Sequence, residues 1–184
     1  MKSRHCLLTV TGKDRPGIIA ELTGLLYDHR CNLEDIAMTI LEGEFAMMLV
    51  VGLGKGSRAG DLTKTLGIFA KKSAMTIHRH ELADRLVRGE SHARGFRPHL
   101  ITAIGKDRTG IVYRISRLLA KSRLNITDLN SRILGYGAKA LYAMMLEVDV
   151  PRRFDVSKLN RDLTHLGKLL RVEIKIKACE PIQF

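Results

Sequence analysis

One motif occurs twice in this chain, and the spacing of the copies limits how the chain can fold. Thr11-Gly12-Lys13-Asp14-Arg15-Pro16-Gly17-Ile18-Ile19 returns 93 residues later as Ile104-Gly105-Lys106-Asp107-Arg108-Thr109-Gly110-Ile111-Val112. At the same offset Leu22 falls on Ile115, Leu25-Leu26 on Leu118-Leu119, and Asn32-Leu33-Glu34-Asp35 on Asn125-Ile126-Thr127-Asp128. A four-residue insertion then moves the offset to 97, where Phe45-Ala46-Met47-Met48-Leu49 meets Tyr142-Ala143-Met144-Met145-Leu146. Leu62, Leu66 and Phe69 likewise meet Leu159, Leu163 and Leu166. The expectation is two domains, residues 5–82 and 98–180. The stretch 83–97 reads as a linker, with Gly89, Gly95, mixed charge and little apolar periodicity.

Each copy has the same punctuation. Cys6–Val10 and Leu100–Ile104 are short apolar runs that read as strands ending at a glycine. Ile18, Leu22, Leu25 and Leu26, and in the second copy Ile111, Ile115, Leu118 and Leu119, recur at three and four residues, one face of a helix. Pro16 suits a first helical turn, where its missing N–H costs nothing. Two strand-like runs follow, Ile36–Leu41 and Phe45–Val51, joined by Glu42-Gly43-Glu44 as a hairpin turn. In the second copy Gly135-Tyr136-Gly137-Ala138-Lys139 makes a longer turn and accounts for the insertion. A second helix follows, with Val156, Leu159, Leu163, Leu166 and Leu170 as its stripe in the second copy. Met75–Arg79 and Val172–Ile176 close the units as strands. The order β-α-β-β-α-β, twice, predicts an α+β chain: two ferredoxin-like units in tandem, each an antiparallel sheet with both helices on one face.

Composition narrows the function classes. Apolar residues are 45% and charged residues 27%, enough for a packed core. No apolar run approaches the ~20 residues of a membrane helix. The segment after Met1-Lys2-Ser3-Arg4-His5 reads against a secretory signal. Cys6, Cys31 and Cys179 are unclustered, which reads against a disulfide scaffold and fits a reducing cytosol, so a cytoplasmic protein is expected. Residues 1–92 carry 13 Lys and Arg against 11 Asp and Glu; residues 93–184 carry 18 against 8. The basic excess therefore sits in the second half. It reads either as a field for a nucleic acid or acidic partner, or as a solvated surface.

The loop between the first strand and first helix is the natural candidate site. A helix N-terminus offers unsatisfied N–H groups and a positive dipole end to an anion such as a carboxylate. Gly17 and Gly110 let backbone approach a ligand closely. Asp14 and Asp107 read either as helix caps or as partners for an ammonium group. Arg15 and Arg108 read as carboxylate clamps or as solvated loop residues. Asn32 and Asn125, placed just before the second strand, offer a donor and an acceptor together, which suits an α-amino acid; a turn role is the other reading.

A strand, Lys-Asp-Arg-Pro-Gly-Ile, an apolar helix, Asn-Leu or Asn-Ile and a hairpin resemble the ACT domain, an amino-acid-sensing regulatory module. The loop resembles above all the glycine cleavage system transcriptional repressor family, built of two such domains, and also the N-terminal ACT domain of formyltetrahydrofolate deformylase. The resemblance implies a non-enzymatic regulator that binds a small amino acid where ACT domains meet, between this loop of one domain and the start of the second strand of its neighbour. The positions implied are Asp14, Arg15, Pro16, Gly17, Ile18 and Asn32, with Asp107, Arg108, Thr109, Gly110, Ile111 and Asn125. Thr109 departs from the pattern, standing where the first copy has Pro16. The resemblance further implies a regulated protein partner, a transcription factor among the candidates, and a homo-oligomer, a dimer in the first instance. No cofactor or metal is expected. The alternative reading is a basic regulator that binds nucleic acid directly through its second half; absent Trp and 5% aromatics leave few stacking platforms for it.

Other motifs carry less. Gly54-Lys55-Gly56-Ser57-Arg58-Ala59 has the spacing of a dinucleotide loop, but the second copy has no glycine there and no acidic residue closes a following strand. His78, His80 and Glu81 make a corner without a fourth metal ligand. No nucleophile elbow, paired-carboxylate site or zinc helix appears, so catalysis is not expected. The first helix of the second copy carries Arg114, Arg117 and Lys121 where the first copy has Glu21, Gly24 and Asp28, faces of opposite charge.

Overall fold

The computed structural model describes residues 4–54, 59–82, 95–137 and 140–179. The chain divides into two compact units, Met1–Val87 and Arg88–Phe184. Unit one runs β1 (Arg4–Lys13), α1 (Ile18–Asp28), β2 (Cys31–Leu41), β3 (Glu44–Leu53), α2 (Ala59–Ser73) and β4 (Thr76–Glu81). Unit two repeats it as β5 (Phe96–Lys106), α3 (Ile111–Lys121), β6 (Asn125–Leu134), β7 (Leu141–Pro151), α4 (Val156–Leu170) and β8 (Val172–Ala178). Each sheet is four-stranded and antiparallel, in the order β2-β3-β1-β4 and β6-β7-β5-β8. This is the fold the repeat predicts.

The predicted stripes are the cores. Ile18, Leu22 and Leu26 of α1 are buried against Leu8, Val10, Met47 and Leu49. Ile111, Ile115 and Leu119 of α3 are buried against Ile101, Met144, Leu146 and Val148. Strand alternation puts Leu8 and Val10 under the helices and leaves Thr9 toward the open face. His78 pairs with Thr9, and His80 with Leu7, so these histidines stand on that open face.

Two details differ from the sequence reading. The strands run longer: β5 begins at Phe96, inside the stretch read as linker, and β2 begins at Cys31 with a bulge between Leu33 and Asp35. Asn32 therefore lies within β2, and Asn125 is the first residue of β6. Residues 83–94 of the linker, and Lys55–Arg58 of the glycine-spaced motif, lie outside the described residues. The hairpin at Glu42-Gly43 has both residues at positive φ, 50° and 78°, the two-residue turn whose twist matches the flanking strands.

Gly12 and Gly105 have a packing role that the motif did not reveal. A Cβ on Gly12 would lie 2.3 Å from Met75 Sδ, and one on Gly105 would lie 2.8 Å from Val172 Cα. Met75, just before β4, and Val172, the first residue of β8, are therefore seated directly on these glycines.

Candidate functional site

Both first helices start from a glycine in the left-handed region. Gly17 has φ 92° and ψ −12°, Gly110 φ 92° and ψ 3°. Neither helix has a side-chain cap. The capping reading of Asp14 and Asp107 is thus corrected: the N-caps are Gly17 and Gly110, three residues further on. Asp14 instead donates its backbone N–H to the Gly43 carbonyl at 2.9 Å, tying the turn to the hairpin. Pro16 precedes the N-cap, so it is outside the first turn predicted for it. Thr109 in its place leaves the glycine geometry unchanged. A cap is worth ~1 kcal/mol, whereas each buried Leu or Ile contributes ~1.5–3 kcal/mol, so burial suffices to fix these helices. Among the described residues, their first-turn N–H groups have no side-chain acceptor.

In unit one, Asp14, Arg15, Pro16, Gly17 and Ile18 line a concavity of ≈ 460 Å³ with Ile19, Ala20, Met38, Ile40 and Phe45. Met38 and Ile40 are opposite Met47 and Phe45 on the helix side of the sheet, at an edge strand that the helices cover only in part. Arg15 is held by Glu21 through two hydrogen bonds, both 2.7 Å. Those bonds push the Glu21 carboxyl below its ordinary value of 4.5 and raise the Arg15 guanidinium. Arg15 is therefore a matched cation.

Unit two differs in charge. Arg108, Thr109 and Arg114 line a concavity of ≈ 540 Å³ with Leu169 and Leu170. Position 114 is the equivalent of Glu21, and among the described residues neither Arg108 nor Arg114 has a carboxylate partner.

The asparagines lie elsewhere. Asn32 pairs with Gly52 across β2 and β3, and Gly52 pairs with His5 at the start of β1. The turn follows Lys13, which pairs with Glu44. From Glu44 to Gly52 is eight residues of strand, or ~26 Å at ~3.3 Å each. Within a unit, then, turn and asparagine are at opposite ends of the sheet. Asn32 donates to Glu34 Oε1 at 3.0 Å, and His5 Nε2 is 3.9 Å from the same oxygen. His5 is buried at 6% exposure, and this trio was missed because His5 precedes the recognisable repeat. In unit two Asn125 pairs with the buried Asp149, and Thr127 donates to Glu147 at 2.6 Å.

These features define a class: a tandem of ferredoxin-like modules, each with an uncapped, glycine-started helix beside a concavity. The chain belongs to the ACT domain family, whose profile matches residues 4–80 and 97–177, and it is a regulatory protein of tandem ACT type. Among similar proteins, a UPF0237 protein of Methanosarcina mazei is 31% identical over 86 residues, 46% of this chain and 89% of that one. A UPF0237 protein of Methanopyrus kandleri is 45% identical over 51 residues, 28% of this chain and 57% of that one. An unknown protein from Galdieria sulphuraria shares the fold at TM-score 0.78 and 23% identity, over 97% of this chain and 99% of that one. A protein described as a glycine cleavage system transcriptional repressor does so at TM-score 0.69 and 16% identity, over 98% and 100%. Among the described residues no helix is long and apolar enough to cross a membrane.

Proposed function

We propose that this chain is a non-enzymatic cytoplasmic sensor that binds a small amino acid at its β1–α1 and β5–α3 turns and modulates a protein partner. The observation that carries this reading is the pair of uncapped helix starts at Gly17 and Gly110, each beside a concavity. The α-carboxylate is received by first-turn N–H groups. The ammonium is received by Asp14 or Asp107. Because turn and asparagine are ~26 Å apart within a unit, Asn32 or Asn125 takes part only from a different unit, in this chain or in a second copy. A homodimer fits that requirement. The likeness to the protein described as a glycine cleavage system transcriptional repressor makes glycine the first ligand to test and a transcription factor the first partner to seek. Glycine has five heavy atoms, so its binding is bounded at about 7.5 kcal/mol, or low micromolar.

Calorimetry of the full chain with each of the twenty amino acids tests this. Saturable binding of at least one small amino acid is the expected result, and twenty flat titrations would refute it.

The exposed basic residues on the helix face of unit two, among them Arg117, Lys121, Arg161 and Lys168, favour a second reading, direct binding of nucleic acid. Binding that weakens steeply as salt rises, with no amino-acid response, would select it.

A further inference from the structure

We infer that the two turns differ in the charge of what they accept: the concavity of unit two takes an oxyanion, carried by an acidic amino-acid side chain or by a phosphate. This rests on the reading of the turns as ligand sites and adds the ligand's charge. The grounds are the two repeats set against each other. In unit one Arg15 is already neutralised by Glu21 in a bidentate pair. The rest of that concavity is largely apolar, with Ile18, Met38, Ile40 and Phe45. Unit two keeps the arginine at 108 and replaces the glutamate with Arg114. One concavity is therefore lined by two guanidiniums and the hydroxyl-bearing Thr109, with no carboxylate to match them among the described residues.

The fold does not ask for this. Arg114 sits in the first turn of α3, where the helix dipole favours an acid, as Glu21 does in α1. Two like charges at that end oppose each other and the dipole, and an oxyanion removes both penalties. Guanidiniums suit the task because each presents a planar fork to a carboxylate or phosphate.

The swap between repeats supplies the test. Glutamate, inorganic phosphate and glycine are titrated by calorimetry into the full chain, into Arg114→Glu and into Glu21→Arg. Arg114→Glu rebuilds the pairing of unit one and so keeps a folded helix start. Glutamate or phosphate should bind the wild type at least about tenfold more tightly than glycine does. Arg114→Glu should abolish that preference, and Glu21→Arg should add a second equivalent of bound anion. Glutamate binding without phosphate assigns the site to acidic amino acids. Phosphate binding without any amino acid keeps the oxyanion site and removes the amino-acid reading. Glycine binding with no preference for either anion overturns the inference and leaves the amino-acid reading standing. Anion binding unchanged in Arg114→Glu also overturns it.

Discussion

Gly12 and Gly105 occupy equivalent positions, yet they should not tolerate alanine equally. The Cβ of Gly12→Ala meets first the sulfur of Met75, a flexible side chain that can turn away, and its nearest backbone neighbour, the Ala74 carbonyl oxygen, is at 3.3 Å. The Cβ of Gly105→Ala meets Val172 Cα at 2.8 Å and the Arg171 carbonyl oxygen at 2.9 Å, which are backbone. Thermal unfolding should therefore show Gly105→Ala as the more damaging change, by ~1–3 kcal/mol for overpacking; equal losses would contradict the seating of β8 on β5. The Arg15–Glu21 pair gives a pH signature of its own. Glu21 is held below 4.5 in the folded chain, so its contribution is present above the unfolded value and disappears as pH falls through the lowered one. Side-chain carbon NMR should find Glu21 titrating below the ordinary glutamate value in the wild type and back at that value in Arg15→Gln. An unshifted Glu21 in the wild type would mean the pair does not persist in solution.

Among the elements, helix starts separate a cap from a ligand-accepting end. The Asp155 side chain accepts the Lys158 N–H at 2.9 Å and caps α4, whereas α3 begins at Gly110 with no side-chain cap. Asp155→Ala should cost ~1 kcal/mol in denaturant unfolding, and Asp107→Ala should leave stability nearly unchanged. A comparable loss in both would restore the capping role to Asp107. The same helices show what the sequence could disclose. The stripes at Ile18, Leu22 and Leu26 and at Ile111, Ile115 and Leu119 were legible because helical burial has a period that apolar residues must follow. The hairpin at Gly43 was legible because few residues accept its dihedrals. Strand ends were not: β5 continues back through Arg97 and Pro98, whose side chains break any apolar run, because pairing with Val150 and Asp149 is a backbone matter. The capping error at Asp14 has a similar cause, since an Asp near a helix start is the common cap and only backbone angles show that a left-handed glycine has taken the position.

For the molecule as a whole, the repeat made the architecture legible, while the candidate site was legible only in parts. The turn residues were found together, lining a concavity in unit one. The asparagines were expected to reach the ligand from a neighbouring unit, and antiparallel topology, which sends them to the far end of their own sheet, leaves that requirement standing. The charge contrast between Glu21 and Arg114 was visible as a stripe of opposite sign, but its bearing on the site appears only when both residues are seen beside their turns. The central claim is that these turns receive a small amino acid through backbone amides that the protein leaves uncapped. It is tested most directly by two-dimensional amide NMR of the full chain as amino acids are added at millimolar concentration. Saturable shifts of the Gly17 or Gly110 amide and its first-turn neighbours, with the Asp155–Lys158 region still, are expected. Amides at both turns that stay fixed for every amino acid would contradict it.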